Sequence, residues 1–304
     1  MEMRPLRYFA AVAETGHMTR AAEKLGIQQP PLSQTIKALE RELGVQLFRR
    51  HPRGVTLTDA GRQFQVEAVR MLESMGAMQQ RMARVASGQE GTLAVGFTSS
   101  AAAHRFVPAA LRAFRRAHPG VDLQLREANA AELTEALVAG HLHCGLLRVP
   151  VARPESLRFE TLLREPVMVA MPSDHRFATV TPRRKAGRAL TLAQLCEEPL
   201  ILVRRPGAPG LYAELLALCH AAGLAPRVVA EVDRMMTNLN LVAAGVGLSV
   251  VPDSMTGVHA HAIAYAPLAG SGALDAPLTL ASQAHPDNLP AQHFAALLRG
   301  MAAA

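Results

Sequence analysis

The hydrophobic positions between Gln28 and Leu43 fall on one side of a helix. Leu32, Ile36, Leu39 and Leu43 are spaced four, three and four residues apart, which makes a single apolar stripe. At roughly 100° per residue, Pro30, Gln34, Lys37 and Arg41 point the opposite way, with Ser33 on the flank. Proline fits only the first helical turn, so Pro30 and Pro31 fix the start at Gln28 or Gln29. Upstream, Leu6, Phe9, Ala10 and Ala13 make a shorter stripe that stops at Thr15-Gly16, a helix-ending signal. Residues 19–25 make a second short helix with Ala21, Ala22 and Leu25 inward, and Gly26-Ile27 turns into Gln28. Two short helices joined by a glycine turn form a helix-turn-helix, whose second helix enters the major groove of DNA. Residues 45–58 then read as strand, basic turn (Arg49, Arg50, Arg53) and strand, a wing able to lie along a phosphate backbone.

From Thr58 or Asp59 a helix is expected to run unbroken to about Ser87 and to end at Gly88. On it Phe64, Ala68, Met71, Met75, Met78, Met82 and Val85 alternate spacings of four and three, a heptad seam that predicts pairing with another helix. A buried core helix shows similar spacing, but the polar residues on the other faces favour one partner helix. Beyond Gly91 strands and helices alternate. Strands are expected at 92–98, 121–127 and 144–147, and helices at 103–118 and 130–139, the pattern of a parallel α/β sheet. A second set follows: strands at 158–163, 166–171, 200–203, 227–231 and 247–250, with helices at 209–222 and 234–244. A strand at 278–282 and a helix at 290–300 close the chain. Segments 160–166 and 264–268 are candidate crossings between two lobes.

At 304 residues there is room for two or three domains. The chain is 49% hydrophobic and 19% charged, with a formal net charge of +7, which favours polyanionic partners. Residues 1–58 carry nine basic residues against five acidic, over half of the excess in under a fifth of the length, and this points to DNA. Cys144, Cys196 and Cys219 are odd in number and dispersed, so they make no disulfide framework. A cytoplasmic, non-membrane protein is the expectation, with neither leader pattern nor apolar span in view.

Residues 1 to about 66 resemble the N-terminal domain of LysR-type transcriptional regulators. The resemblance rests on Leu6-Arg7-Tyr8-Phe9, Arg20-Ala21-Ala22-Glu23-Lys24-Leu25, Gln29-Pro30-Pro31-Leu32-Ser33, Leu39-Glu40-Arg41-Glu42-Leu43-Gly44, Leu47-Phe48-Arg49-Arg50 and Leu57-Thr58-Asp59-Ala60-Gly61. Two residues depart from the family pattern. His17 stands where Ser is usual and caps a helix less well, and Gln34 stands where Arg is frequent. Residues 91–304 resemble the family's effector domain, most closely at 222–226 and 241–247, and in pattern the regulators of aromatic-compound degradation. The resemblance implies an α/β fold class: a winged helix-turn-helix (1–58), a linker helix that forms the dimer (59–90), and a two-lobed α/β effector domain like that of periplasmic solute-binding proteins. Lobe I is expected at about 91–162 and 268–304, and lobe II at about 163–267. The implied partners are double-stranded operator DNA, a small organic acid, a second copy in a dimer or tetramer, and RNA polymerase.

The candidate DNA contacts are Thr19, Gln29, Pro30, Pro31, Ser33, Gln34, Lys37, Arg50 and Arg53. Gln and Ser suit base edges, Lys and Arg suit phosphates. In open α/β sheets ligands sit beyond the carboxyl ends of strands. Thr98, Ser99, Ser100, Asn129, Arg148, Val203, Arg204 and Pro206 meet that rule. Hydroxyls, helix N-termini and Arg together describe an anion site suited to a carboxylate, with Phe97, Val203 or Pro206 against the ligand's apolar body. In relatives that sense aromatic-degradation intermediates, the positions of Ser99 and Arg148 hold the effector's carboxylate. Read as structure alone, Ser99 is a helix cap and Arg148 a surface charge. His141 and His143 lack a matching ligand cluster, so no metal or cofactor is expected. No nucleophile elbow, Walker loop or dinucleotide fingerprint occurs, so no enzyme is expected. A redox-responsive regulator using Cys196 and Cys219, and a solute-binding module without regulatory role, are the alternatives.

Overall fold

The computed structural model describes residues 2–150, 152–178, 189–203, 210–270 and 274–303. These divide into two compact units, Met1–Arg84 and Val85–Ala304.

The first unit opens with α1 (Met3–Thr15), α2 (Met18–Lys24) and α3 (Gln29–Leu43). Pro30 and Pro31 occupy the first turn of α3, and Gly44 ends it with φ +70, a left-handed cap that glycine adopts without strain. Strands β1 (Phe48–His51) and β2 (Gly54–Leu57) pair antiparallel as the wing. Helix α4 follows, Asp59–Ala86. Thr58 Oγ1 accepts the Gly61 N–H at 2.9 Å and donates to Gln46 O at 2.6 Å. The start of α4 is thus capped and tied to the wing at once. A Cβ on Gly61 would lie 2.1 Å from the Leu47 carbonyl oxygen, so glycine alone permits this approach. Leu6, Phe9, Leu32, Ile36, Leu39, Leu47 and Ala68 form the core.

Part of the seam on α4 has a role that its spacing did not foretell. Phe64 packs edge-on against Phe9, with ring centroids 4.8 Å apart, and Ala68 is buried. These two residues therefore face their own domain. Met71, Met78, Met82 and Val85 stay 46%, 55%, 52% and 44% exposed.

In the second unit the three strands expected to be parallel are parallel, and antiparallel strands extend them into a mixed sheet. In order β10-β6-β11-β5-β3-β4 the strands are Ile263–Pro267, Leu157–Pro172, Asp275–Gln283, Cys144–Leu147, Glu90–Phe97 and Gly120–Glu127. β3 pairs parallel with β4 and β5, while β11 runs antiparallel to β5 and β6. The expected strands 158–163 and 166–171 are one continuous β6. Its partner changes along its length: Pro166 faces Asp275 of β11, and Val167 faces Pro252 of β9 (Ser249–Pro252). Residues 264–268 lie mostly within β10, so the return crossing follows that strand.

The helix expected over 103–118 is α6 (Phe106–Ala117), and a short helix that was not expected, α5 (Ser99–Ala102), precedes it. Pro108 can sit only in a first turn, and the His104 ring accepts the Phe106 N–H at 3.2 Å, so α6 starts there. α7 (Ala130–Val138) and α11 (Leu289–Ala303) complete the first lobe around Leu93, Val95, Phe114, Leu146, Leu280 and Phe294. The second lobe adds α8 (Leu192–Cys196), β7 (Pro199–Val203), α9 (Leu211–Ala221), β8 (Arg227–Val232) and α10 (Met235–Ala243). Leu195, Ile201, Leu215, Leu239 and Val250 form its core. No helix among the described residues is long and apolar enough to cross a membrane.

Candidate functional site

Two faces concentrate the chemistry, one in each unit. On the first, Leu32, Ile36 and Leu39 of α3 are buried, while Gln29, Pro30, Pro31, Gln34 and Lys37 are exposed. Thr19 is exposed near the start of α2, and Arg50 and Arg53 are exposed on the wing. Ser33 is half-buried, and Arg50 Nη2 donates to its Oγ at 3.4 Å. The wing is held against α3 by Glu40, whose Oε1 accepts the N–H groups of Leu47 and Phe48 at 2.9 and 3.1 Å. The structure therefore gathers α3 and the wing on one basic face. His17 makes no side-chain cap on α2, consistent with its poor capping chemistry.

The second face is a cleft of about 170 Å³ in the effector unit. It lies below the range of about 300–1,000 Å³ for drug-sized ligands, and so suits a small molecule. Thr98, Ser99, Ser100, Asn129, Arg148 and Val203 all line it. Arg204 and Pro206 lie outside the described residues, and Phe97 packs against the first core instead. Thr98 Oγ1 caps α5 by accepting the Ala101 N–H, and Asn129 shares a capping box with Glu132 on α7.

Arg148 is not the simple surface charge of the bland reading. Its side chain is only 12% exposed. Nη2 donates to Ser100 O at 2.5 Å and to Ser254 Oγ at 3.0 Å. Nη1 lies 2.6 Å from Glu165 Oε1 as an ion pair. Among the described residues the buried Nε has no hydrogen-bond partner. Burial lowers the guanidinium's pKa and the Glu165 charge opposes that shift. Glu165 in turn accepts from the Ser254 N–H and Oγ at 2.7 and 2.9 Å. Ser254 stands in a 3-10 turn, Asp253–Met255, directly after β9, so the network joins the two lobes.

Several cleft residues escaped the sequence reading. Asp233, Arg234 and Met235 follow β8, and Pro252 ends β9; the strand-end rule applied to every strand would have found them. Tyr212 lines the cleft from α9, its hydroxyl donating to Val250 O at 2.7 Å. Glu165 carries no such signal, because it sits within a strand.

Cys196 and Cys219 bring their sulfurs to 3.3 Å, both buried. Burial pushes the Cys219 thiol up to about 12, with the Cys196 sulfur adding to the shift, so the reactive thiolate is scarce near neutral pH. His143 accepts the Ala94 N–H on Nδ1 at 2.9 Å, a structural role. Among the described residues no group of three His, Cys, Asp or Glu is placed to hold a metal.

Two family profiles match the chain. "Bacterial regulatory helix-turn-helix protein, lysR family" covers residues 3–62, and "LysR substrate binding domain" covers residues 86–303. The uncharacterized HTH-type transcriptional regulator YnfL of Escherichia coli (strain K12) is 39% identical over 97% of this chain and 96% of its own length. BenM of Acinetobacter baylyi (strain ATCC 33305 / BD413 / ADP1) is 35% identical over 88% and 86%. Among solved structures, CbnR superposes with a TM-score of 0.82 at 32% identity, covering 98% of this chain and 100% of CbnR. Full-length CbnR complexed with its target DNA gives 0.81 at 31% identity, covering 99% and 100%. The chain belongs to the LysR family of transcriptional regulators.

Proposed function

We infer that the protein works as a DNA-binding transcriptional regulator with an effector-binding domain and not as an enzyme. We propose that residues 1–58 grip the operator, that 59–90 pair two copies, and that 91–304 bind a small organic acid. Gln29, Ser33 and Gln34 read bases. Thr19, Lys37, Arg50 and Arg53 hold phosphates, and Pro30 and Pro31 set the start of the reading helix. The exposed Met71–Val85 stripe on α4 is covered by a second copy, in a dimer that can build a tetramer and meet RNA polymerase at the promoter. The acid's carboxylate is held by Arg148 with Thr98, Ser99 and Ser100, while Asn129 and Val203 complete the cleft.

The observation that carries the effector reading is the gathering of Thr98, Ser99, Ser100, Asn129 and the buried Arg148 on the walls of one cleft between two lobes. A ligand reaching both walls binds unequally to different lobe angles, and only such a difference shifts the regulator's state. A redox regulator using Cys196 and Cys219 is the second reading. The 3.3 Å sulfur separation favours it, and burial of both thiols opposes it.

Operator binding tests the DNA half. Gln34→Ala should relax base preference at one position. Arg53→Ala should weaken all sequences alike and reduce the salt slope by about one. Unchanged affinity and selectivity in both variants would remove these residues from the interface.

A further inference from the structure

Phe114 near the end of α6, His118 just after it and His293 of α11 form one stack of rings. The centroids of Phe114 and His118 are 4.6 Å apart with an interplanar angle of 26°, and those of His118 and His293 are 5.1 Å apart at 21°. Gly88, just after α4, lies against this stack. Its φ is +68, and a Cβ there would lie 2.7 Å from Leu289 Cβ and 2.9 Å from His293 Cε1. Only glycine admits that approach, so the segment joining α4 to β3 is pressed onto the start of α11.

Both imidazoles keep Nδ1 enclosed, with no hydrogen-bond partner among the described residues. A neutral ring tolerates this by carrying its proton on Nε2, which leaves a bare lone pair at Nδ1. An imidazolium carries N–H on both nitrogens, so protonation buries a donor that meets no acceptor. Burial lowers the His118 pKa, and the charge of His293 lowers it further. The other charged groups on the packed elements are Arg115 and Arg116 of α6, Glu90 of β3, Asp122 of β4, Arg299 of α11 and Asp287 ahead of it. Arg299 is paired with Glu160 at 2.8 Å, and Asp122 accepts from Gln124 Nε2 at 3.0 Å. Arg115, Arg116 and Asp287 are exposed, and residues 85–89 carry no charge. His293 is the charge that bears on His118.

We propose that the His118–His293 stack is an acid-operated clasp on the segment that leads from α4 into the effector unit. With both rings neutral, the stack holds Gly88 against α11. With both protonated, two like charges about 5 Å apart repel and the stack parts. Its contribution is complete above the ordinary histidine pKa of 6.5 and is lost as pH falls below it. Neither histidine lines the cleft, so acid is an input separate from any effector.

The test is hydrogen exchange by mass spectrometry on the full-length protein at pH 7.5 and pH 5.0, corrected for the intrinsic effect of pH on exchange. Peptides covering residues 85–90, 114–121 and 289–296 should open about tenfold more at pH 5.0, within the range that two unit charges at this separation give between bulk water and a protein surface. β7 and α9 should not follow. His118→Phe keeps a ring in the stack without a titrating group, and His293→Gln removes the second charge. Each should remove most of the acid-induced opening, and His118→Phe should match wild type at pH 7.5. Wild-type peptides indifferent to pH, acid opening undiminished in both variants, or opening shared equally by β7 and α9 would each overturn the proposal.

Discussion

Arg148 Nη1 and Glu165 Oε1 lie 2.6 Å apart with side chains 12% and 9% exposed, so the cation proposed to meet the effector already has an internal partner. Removing one member of a buried pair leaves an uncompensated charge and typically costs about 3–5 kcal/mol. Glu165→Ala should destabilise the effector unit by that order in chemical denaturation. Added formate, able to enter the vacated place, should restore part of the loss. Wild-type stability in Glu165→Ala would mean that the pair contributes nothing.

The uncovered stripe on α4 makes a second prediction. Met78 is 55% exposed in the single chain, so Met78→Glu should fold normally. In a paired helix the new charge meets its own copy and is desolvated. Sedimentation should show more monomer at micromolar concentration, and operator affinity should fall with it. A fully dimeric variant would place the pairing surface elsewhere.

Cys144 predicts an alkaline limit to stability. Burial pushes its thiol up to about 12 from an ordinary value of 9.0. A folded pKa raised above the unfolded one gives stability that is complete below about pH 9 and lost as pH rises toward 12. The loss attributable to this thiol approaches roughly 4 kcal/mol across that window. Cys144→Ala should flatten the decline measured by urea unfolding between pH 9 and 11. An equally steep decline would assign it to other groups.

How far the sequence foretold this molecule depended on the range of each signal. The bounds of α3 were legible because Pro30, Pro31 and Gly44 act on their own backbone. The strand-end rule located Thr98, Asn129 and Arg148 because it needs only local order. Partners distant in sequence were not legible. Phe64 and Ala68 fit the heptad but pack inside their own domain, since spacing identifies a stripe and not what covers it. β6 was divided in two because its partner change at Pro166–Val167 depends on β9 and β11. Glu165 was missed altogether: a carboxylate within a strand gives no hint that it will face a guanidinium from another strand.

On the proposed function, a carboxylate held by Arg148 and Ser99 in the cleft governs the regulator's hold on DNA. The direct measurement is calorimetry of a panel of small carboxylates with wild type, Arg148→Ala and Ser99→Ala, followed by operator footprints of the same proteins. The expected result is an acid that binds wild type and alters its footprint. Arg148→Ala should lose roughly 2–4 kcal/mol of that binding while still occupying the operator without responding to the acid. Tight binding of the same acid by both variants, with wild-type changes in the footprint, would contradict the account.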